Sequence, residues 1–146
     1  MTIGVTEDHE ALASSVRGWA ERTGLRASAR EALDAPEARP TWWQGLADQG
    51  LIGLCVSEEN GGSGAGAVEH ALVVEELGRA FAPGPVIPTL AAALVLAQAG
   101  GTPAKELLPS LVDGTLTAAV AVEDGLTATP TDDGIVVTGT AEHLLG

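Results

Sequence analysis

The chain has 146 residues, of which 45% are hydrophobic, and its net charge is −13 at pH 7. This length suits one domain, or one domain and part of another, and the acidity argues against binding to nucleic acid or to an anionic membrane surface. The longest apolar run, Leu90 to Ala97, is far shorter than the ~20 residues of a membrane span. The single cysteine, Cys55, cannot form an internal disulfide, and no signal peptide follows Met1, so we expect a cytoplasmic protein.

The first predicted helix begins after Thr6, whose hydroxyl is suited to cap it, and ends at Gly24. Leu12, Val16 and Trp19 form its apolar stripe. A second, weaker helical stretch is predicted over residues 26–35. A third helix is expected to begin at residue 40 or 41 and to end at residue 48, with a glycine at position 50 as its stop signal.

A central helix is predicted after a glycine cluster at residues 61–66. Steps of three and four residues place apolar side chains on one face of it, at Ala67, Ala71, Val74, Leu77 and Phe81. A fifth helix, over residues 89–99, is apolar on almost all sides and is expected to be buried on most of them. A sixth helix is expected to be capped at residue 102 and kinked by the proline at 109.

From Thr115 onwards the pattern changes from helical to alternating, which predicts strands. Residues 115–122, 126–129, 135–138 and 140–145 are the four candidates, and a turn is expected at residues 131–134. So small a sheet is marginal alone, so we expect the chain to stop inside a β domain. We further expect exposed apolar surface near Val120, Val136 and Leu144.

Several residue groups invite a chemical interpretation, and for each the structural interpretation is favoured. The glycine cluster lacks a dinucleotide or P-loop pattern and follows Glu58 and Glu59, which would repel phosphate. The histidines lack metal-ligand spacing, and those at positions 9 and 70 are expected to be solvated. Cys55 is expected to be a small buried hydrophobe, and at most one of Trp42 and Trp43 is expected to line a pocket.

Three segments taken in order nevertheless point to a family. They are GLIGLCVSEENGGSGAG, EELGRAFAPGP and LLPSLVDGTLTAAVAVEDG, and together they resemble the amino-terminal half of the acyl-CoA dehydrogenases from about Trp42 to the end of the chain. The resemblance implies a mainly α fold: a helical amino-terminal domain over residues 1–114, followed over residues 115–146 by the first strands of an incomplete middle β domain. It also implies FAD as the cofactor and an acyl-CoA thioester as the substrate.

The resemblance also places the expected flavin contacts. In the family one strand carries Thr-Glu-Pro, and here Ala121 and Val122 occupy that stretch, with Val122 in place of the threonine hydroxyl. A second family segment, Trp-Ile-Thr or Trp-Ile-Ser, is matched here by His143, Leu144 and Leu145. These five residues are therefore the predicted cofactor-binding set, although both side-chain donors of the family pattern are missing. No residue of the chain matches the family's catalytic glutamate, so no catalytic residue is predicted. No metal-binding residue is predicted either.

Three interpretations follow. The chain is a piece of an acyl-CoA dehydrogenase that carries out FAD-linked α,β-dehydrogenation when complete, and is inactive alone. Alternatively it is a non-catalytic structural subunit of a heteromeric acyl-CoA dehydrogenase, assembled with related subunits; these two are compatible. A third interpretation, an unrelated helical binding module, requires the order of the three segments to be chance.

Overall fold

A computed structural model describes residues 4–34, 39–122, 125–142 and 144–145 of the chain. The helices are α1 (Glu7–Thr23), α2 (Leu25–Glu31), α3 (Trp43–Asp48), α4 (Ala67–Arg79), α5 (Val86–Ala99) and α6 (Gly101–Val112), with a short 3₁₀ helix at Glu58–Asn60. The strands are β1 (Val120–Ala121), β2 (Leu126–Thr131), β3 (Gly134–Gly139) and β4 (Leu144–Leu145). The predicted mainly α fold class is confirmed. None of the described helices is long and apolar enough to cross a membrane.

Helix α1 begins and ends where its sequence signals predict. The Thr6 hydroxyl accepts a hydrogen bond from the backbone N–H of His9, and the His9 ring accepts one from the backbone N–H of Thr6. Gly24 ends the helix in the left-handed conformation, with φ of 75° and its N–H bonded to the carbonyl of Ala20, a conformation that favours glycine. Helix α1 packs along α4.

Helices α2 and α3 are shorter than the sequence predicts. Helix α2 begins at Leu25, which is completely buried, and ends at Glu31 instead of Ala35. Helix α3 begins at Trp43, later than the predicted Pro40 or Thr41. Residues 40–43 form a turn instead, and the regular hydrogen bonds that define a helix begin only after it.

The main core lies between α1, α2, α3, α4 and the start of α5, and all three tryptophans contribute to it. The Trp19 and Trp42 rings meet edge to face, with centroids 6.2 Å apart, and the Trp42 and Trp43 centroids are 6.4 Å apart. Both indole N–H groups of the adjacent pair are satisfied, Trp42 donating to the Ser28 hydroxyl and Trp43 to the carbonyl of Gly114. Neither ring of that pair lines an open pocket, since both are buried.

The face that α4 buries differs from the predicted apolar stripe. Its buried residues are Val73, Glu76 and Leu77, whereas Ala67 and Ala71 are exposed and Phe81 lies beyond the end of the helix, 63% exposed. The reason is that α1 crosses α4 on the side of Glu76, whose carboxylate is paired with an arginine of α1.

Helices α5 and α6 pack against each other and form a second small core of Val56, Ala93, Ala104 and Leu108. Helix α5 is buried or partly buried at most of its positions, as expected, although Ile87 and Val95 are 46% and 60% exposed. Helix α6 begins at Gly101 and takes no cap from the residue at 102. The proline at 109 lies inside α6, as predicted.

The strands form two antiparallel pairs, β1 with β4 and β2 with β3. The predicted strand over residues 115–122 is reduced to β1, and the β2–β3 hairpin turns at residues 132–133 as expected. Both hairpin strands are exposed along their whole length. The expected apolar surface is confirmed at Val136, which is 50% exposed, whereas Val120 is half-buried and the side chain of Leu144 lies outside what the structure describes.

Candidate functional site

After α6 the chain makes a turn at Gly114 and Thr115, and the side chains of Trp43 and Arg39 donate hydrogen bonds to it. The carbonyl oxygen of Gly114 accepts a 2.9 Å hydrogen bond from the Trp43 indole and a 3.4 Å bond from Arg39. Arg39 also donates to the carbonyl of Thr115 at 3.3 Å. Gly114 has a φ of 78°, and a Cβ there would lie 2.8 Å from the Cβ of Ala47, so the turn needs glycine.

The residues around this turn tie it to the end of α6. The Thr115 hydroxyl and backbone N–H donate to the same Asp113 carboxylate oxygen, at 2.6 and 2.9 Å. These two bonds stabilise the charged carboxylate and lower the pKa of Asp113. The next N–H, of Leu116, donates to the carbonyl of Ser110 at 2.8 Å. The segment leading to β1 is therefore fixed before the strand begins.

A buried threonine then positions the approach to β1. Thr89 of α5 is completely buried, and its hydroxyl oxygen accepts a 3.1 Å hydrogen bond from the backbone N–H of Ala118. Since β1 also contacts α5, the direction of the strand is set by the helical part of the chain. Sequence analysis did not single out Thr89, because a threonine in an apolar helix carries no signal of a partner 29 residues away.

The pairing of β1 with β4 brings most of the predicted flavin contacts together. Ala121 lies opposite Leu144, and Val120 lies opposite Leu145. Val122 follows directly after β1 and is 70% exposed. His143, the remaining predicted contact, lies outside the described residues. Three of the five predicted residues thus lie on the paired strands β1 and β4, and Val122 follows directly after β1.

Strand β1 and Val122 offer a ligand main-chain groups and apolar side chains. The side chains of Ala121 and Val122 carry no donor, and among the described strands the edge of β1 away from β4 has no partner. Because N–H and C=O groups alternate between the two edges of a strand, β1 presents main-chain groups on that open edge. The residues are thus suited to hold a flavin edge without the hydroxyl contact of the family pattern.

The glycine cluster has a structural role, as its sequence context indicates. Its N–H groups are used within the loop: Gly62 donates to Ser57, Ser63 to Gly53, and Gly64 to Val56. A phosphate-binding loop needs such groups free and pointing at the ligand. The cluster therefore closes the turn before α4 and offers no phosphate cradle.

The two described histidines are not solvated, contrary to expectation. The His9 side chain is 14% exposed and its Nε2 lies 3.0 Å from an oxygen of Glu69, which joins α1 to α4. His70 is half-buried, and its Nδ1 has no hydrogen-bond partner among the described residues. Burial lowers the pKa of His70, so the ring is favoured in its neutral form.

Cys55 is half-buried, and its thiol lies 3.3 Å from the carbonyl oxygen of Gly66, to which it donates. Burial, and to a smaller degree the carboxylate of Glu69, raise the pKa of the thiol. A raised pKa reduces the thiolate fraction and hence the reactivity of the group, which agrees with a structural role. Among the residues that the structure describes, no cluster of three potential ligands could hold a metal ion.

A charged network on α1 and α4 was missed by sequence analysis. Arg17 donates from Nε and Nη2 to the two carboxylate oxygens of Glu76, at 2.9 and 2.7 Å. Arg79 pairs with Glu75, as its i, i+4 spacing predicts, and lies 3.9 Å from Glu76. An open groove of about 730 Å³ lies beside the network. Its lining charges nearly balance, which disfavours a strongly charged ligand in it.

The family model described as "Acyl-CoA dehydrogenase, N-terminal domain" matches residues 6–115. The chain belongs to the acyl-CoA dehydrogenase family. The helical part that positions β1 is the part that this match covers, and the resemblance inferred from the three sequence segments is confirmed. A role for any single residue in flavin binding stays a prediction.

Curated acyl-CoA dehydrogenases of mycobacteria are similar to this chain. The acyl-CoA dehydrogenase FadE34 of Mycobacterium tuberculosis is 32% identical over 156 aligned residues, which cover 100% of this chain and 21% of FadE34. The acyl-CoA dehydrogenase IpdE2 of Mycolicibacterium smegmatis is 32% identical over 77% of this chain and 37% of its own length. The chain thus spans well under half the length of these relatives.

Two solved structures share the fold of this chain. The Tcur3481-Tcur3483 steroid acyl-CoA dehydrogenase, a G363A variant, superposes with a TM-score of 0.82 at 33% identity, over 97% of this chain and 42% of that one. PigA, solved with FAD and proline, gives a TM-score of 0.71 at 26% identity, over 95% of this chain and 40% of that one.

Proposed function

We propose that this chain supplies the helical unit and the first β strands of an acyl-CoA dehydrogenase that oxidises an acyl-CoA thioester between its α and β carbons in the cytoplasm. Residues 1–114 form the helical unit and residues 115–146 begin the β unit. The observation that carries the proposal is the pairing of β1 with β4, anchored to α5 by Thr89. In the proposed enzyme, this anchoring aims the strand at the flavin.

When bound, FAD would accept the hydride that leaves the β carbon of the thioester. The residues of this chain that would hold and orient the flavin are Ala121 and Val122 together with His143, Leu144 and Leu145. They do so through backbone groups and apolar contact, since Val122 and Leu145 supply no hydroxyl. No residue here is proposed as the catalytic base, so we expect no activity from the chain alone.

The substrate class follows from similarity. Because the Tcur3481-Tcur3483 protein is a steroid acyl-CoA dehydrogenase and is 33% identical to this chain, a steroid-derived acyl-CoA thioester is the first substrate to test. A straight-chain acyl-CoA is its matched comparison.

A second candidate function is that of a non-catalytic subunit beside an active one. It is favoured by Val122, which is 70% exposed and apolar at the position where the family pattern has a hydroxyl. In that case flavin and activity would require a related partner subunit, and the strands of this chain would cover the flavin from outside. The two-part name of the Tcur3481-Tcur3483 protein supports testing a heteromer.

The test is to purify the protein expressed from its native gene, alone and with its genomic neighbour. Intact mass, visible flavin absorbance and reduction of a dye by steroid and straight-chain acyl-CoA thioesters are measured on each preparation. Flavin and turnover in the protein alone, with an intact mass above that of this chain, support the catalytic function. Flavin and turnover only in the co-expressed complex support the second candidate, and their absence from both preparations contradicts each of them.

A further inference from the structure

The single phenylalanine of the chain is exposed and is held in an uncommon backbone conformation. Phe81 is 63% exposed and has a φ of +57°, the left-handed region that non-glycine residues seldom adopt. Its N–H donates to the carbonyl of Gly78, and the N–H of Ala82 donates to that of Leu77. This is the hydrogen-bond pattern that ends helices, with Phe81 at the position usually taken by glycine. An unfavourable, exposed aromatic residue is a reason to look for a function at this position.

Two shallow depressions, each of about 330 Å³, flank the Phe81 ring, and Ala29 also lines both. One is apolar: Leu77 and Val86 are almost fully buried in it, and Ile87, at its rim, is 46% exposed. The other is lined by Arg26, Arg30 and Leu33 together with the ring. We call this surface, defined by Arg26, Ala29, Arg30, Phe81 and Ile87, the Phe81 surface.

The Phe81 surface is basic although the chain is acidic. The chain as a whole has a net charge of −13, but the charged residues that line the two depressions are Arg26 and Arg30, both on α2. The Arg26 guanidinium lies 5.2 Å from the centroid of the Phe81 ring. No carboxylate is among the described residues that line the two depressions. Aromatic and arginine side chains are enriched at the energetic centres of protein interfaces.

We propose that the Phe81 surface docks an acidic, aliphatic segment of a partner protein. An aliphatic side chain of the segment fills the apolar depression beside Ile87, and a carboxylate one turn away pairs with Arg26 and Arg30. The commitment to an acidic partner rests on charge complementarity, because like charges across an interface disfavour a basic one. The shallow, open shape favours a protein segment over a small ligand, which is usually enclosed.

A labelled synthetic helix provides the probe. It carries leucines on one face at spacings of three and four residues and glutamates elsewhere, and its control peptide replaces each glutamate by glutamine. Fluorescence anisotropy with the purified protein is expected to show saturable binding of the glutamate peptide that weakens as salt rises. The glutamine peptide is expected to bind at least ~tenfold more weakly. The absence of saturable binding, or equal binding of both peptides, would overturn the proposal.

The decisive variant is Phe81→Gly, because glycine suits the backbone conformation at this position. The variant is expected to keep or raise the melting temperature while it weakens peptide binding by ~tenfold or more. Arg26→Glu combined with Arg30→Glu is expected to abolish the salt dependence of binding. The control is Val95→Ala, since Val95 is 60% exposed on α5 and lines neither depression; it should bind as the wild type does. Unchanged binding by Phe81→Gly would refute the proposal.

Two other occupants give distinct results. Self-association that sedimentation detects, and that Phe81→Gly abolishes, would assign the Phe81 surface to a second copy of this chain and overturn the acidic partner. Displacement of the peptide by a medium-chain fatty acid at lower concentration than unlabelled peptide would assign a small anionic amphiphile. Neither result depends on flavin or on catalysis, so the outcome is separate from that of the proposed function.

Discussion

Arg17 and Glu76 are joined by a two-pronged ion pair across the α1–α4 interface, with both bonds between 2.7 and 2.9 Å. The Glu76 side chain is 6% exposed, while that of Arg17 is 56% exposed. The partly exposed Arg17 guanidinium therefore stabilises the charge of the buried Glu76 carboxylate. Its contribution depends on Arg17 more than on any other charge, since Arg79 is more distant at 3.9 Å.

Arg17→Met is expected to lower the free energy of unfolding, because it leaves a buried charged acceptor without its main donor. Chemical denaturation of the variant and the wild type measures the difference. The matched control is Glu75→Gln, one position along α4, which removes the exposed pair with Arg79 and should cost less than about 1 kcal/mol. Equal losses in the two variants would contradict a larger contribution from the buried pair than from the exposed one.

The same pair predicts a dependence of stability on pH. Hydrogen bonds from Arg17, and then its charge, lower the pKa of Glu76 although burial opposes them. A carboxylate with a lowered folded-state pKa adds stability above its unfolded pKa of about 4.3 and loses it as the pH falls through the folded-state pKa. We expect the unfolding free energy to fall in that acid range, and Glu76→Gln to flatten the fall. Denaturation curves at a series of pH values test this, and an equally steep fall in the variant would refute it.

Gly62→Ala is expected to cost about 3 kcal/mol or more, because a Cβ there would overlap the carbonyl oxygens of Val56 and Gly53. Both oxygens belong to backbone of the loop itself, so relief requires the loop to open. Gly78→Ala serves as the control: a Cβ there meets nothing within 4 Å, and the change within α4 should raise stability by about 0.5–1 kcal/mol. Thermal unfolding followed by circular dichroism compares the two, and a mild effect at Gly62 would contradict the tight loop.

Thr89→Val is expected to weaken the attachment of β1 to the helices. The change keeps the shape of the side chain but removes the acceptor of the Ala118 N–H, which should cost about 1–3 kcal/mol locally. Hydrogen exchange resolved to single amides should show faster exchange at Ala118 and in β1, with the amides of α4 unchanged. Thr89→Ser keeps the hydroxyl and should restore slow exchange at Ala118; if it does not, the hydroxyl is not the anchor.

Val122→Thr, made in the flavin-containing protein or complex, is expected to tighten flavin binding by about 2- to 10-fold, the value of one added hydrogen bond. Because Val122 is 70% exposed, stability should change by less than about 0.5 kcal/mol. Flavin release measured by fluorescence during dilution checks the prediction. Val122→Ala is the control and should bring no gain. An equal gain in both variants would show that the effect is not a hydroxyl contact.

Local signals in the sequence were sufficient for the boundaries of α1. Thr6 and Gly24 act within a few residues of themselves, so their effect does not depend on the rest of the fold. The apolar pattern of α4 predicts the burial of Leu77 correctly but not that of Glu76, because Glu76 is buried through a partner 59 residues away. Contacts at such distances along the chain carry no local pattern.

In the candidate site too, some residues could be identified from the sequence and others only from the structure. Ala121 and Leu144 were selected by resemblance to a family, and they prove to be opposite each other on paired strands. The sequence did not indicate the two groups that position those strands, the Thr89 hydroxyl and the Gly114 carbonyl. Each matters because it accepts a hydrogen bond from a donor far away along the chain. His9 was misjudged for the same reason, as its partner Glu69 lies on another helix.

Because Trp19, Trp42 and Trp43 lie close together, the intrinsic fluorescence of the protein reports on one region of the fold. The chain has three tryptophans and no tyrosine, and all three indoles meet where α1 packs near α3. Intrinsic emission therefore follows the solvation of that one junction. The β2–β3 hairpin contains no aromatic residue and can separate from the helices while the emission spectrum stays constant. An unfolding curve recorded by fluorescence is a curve for the helical part, and a stability assigned to the strands requires an amide-based probe.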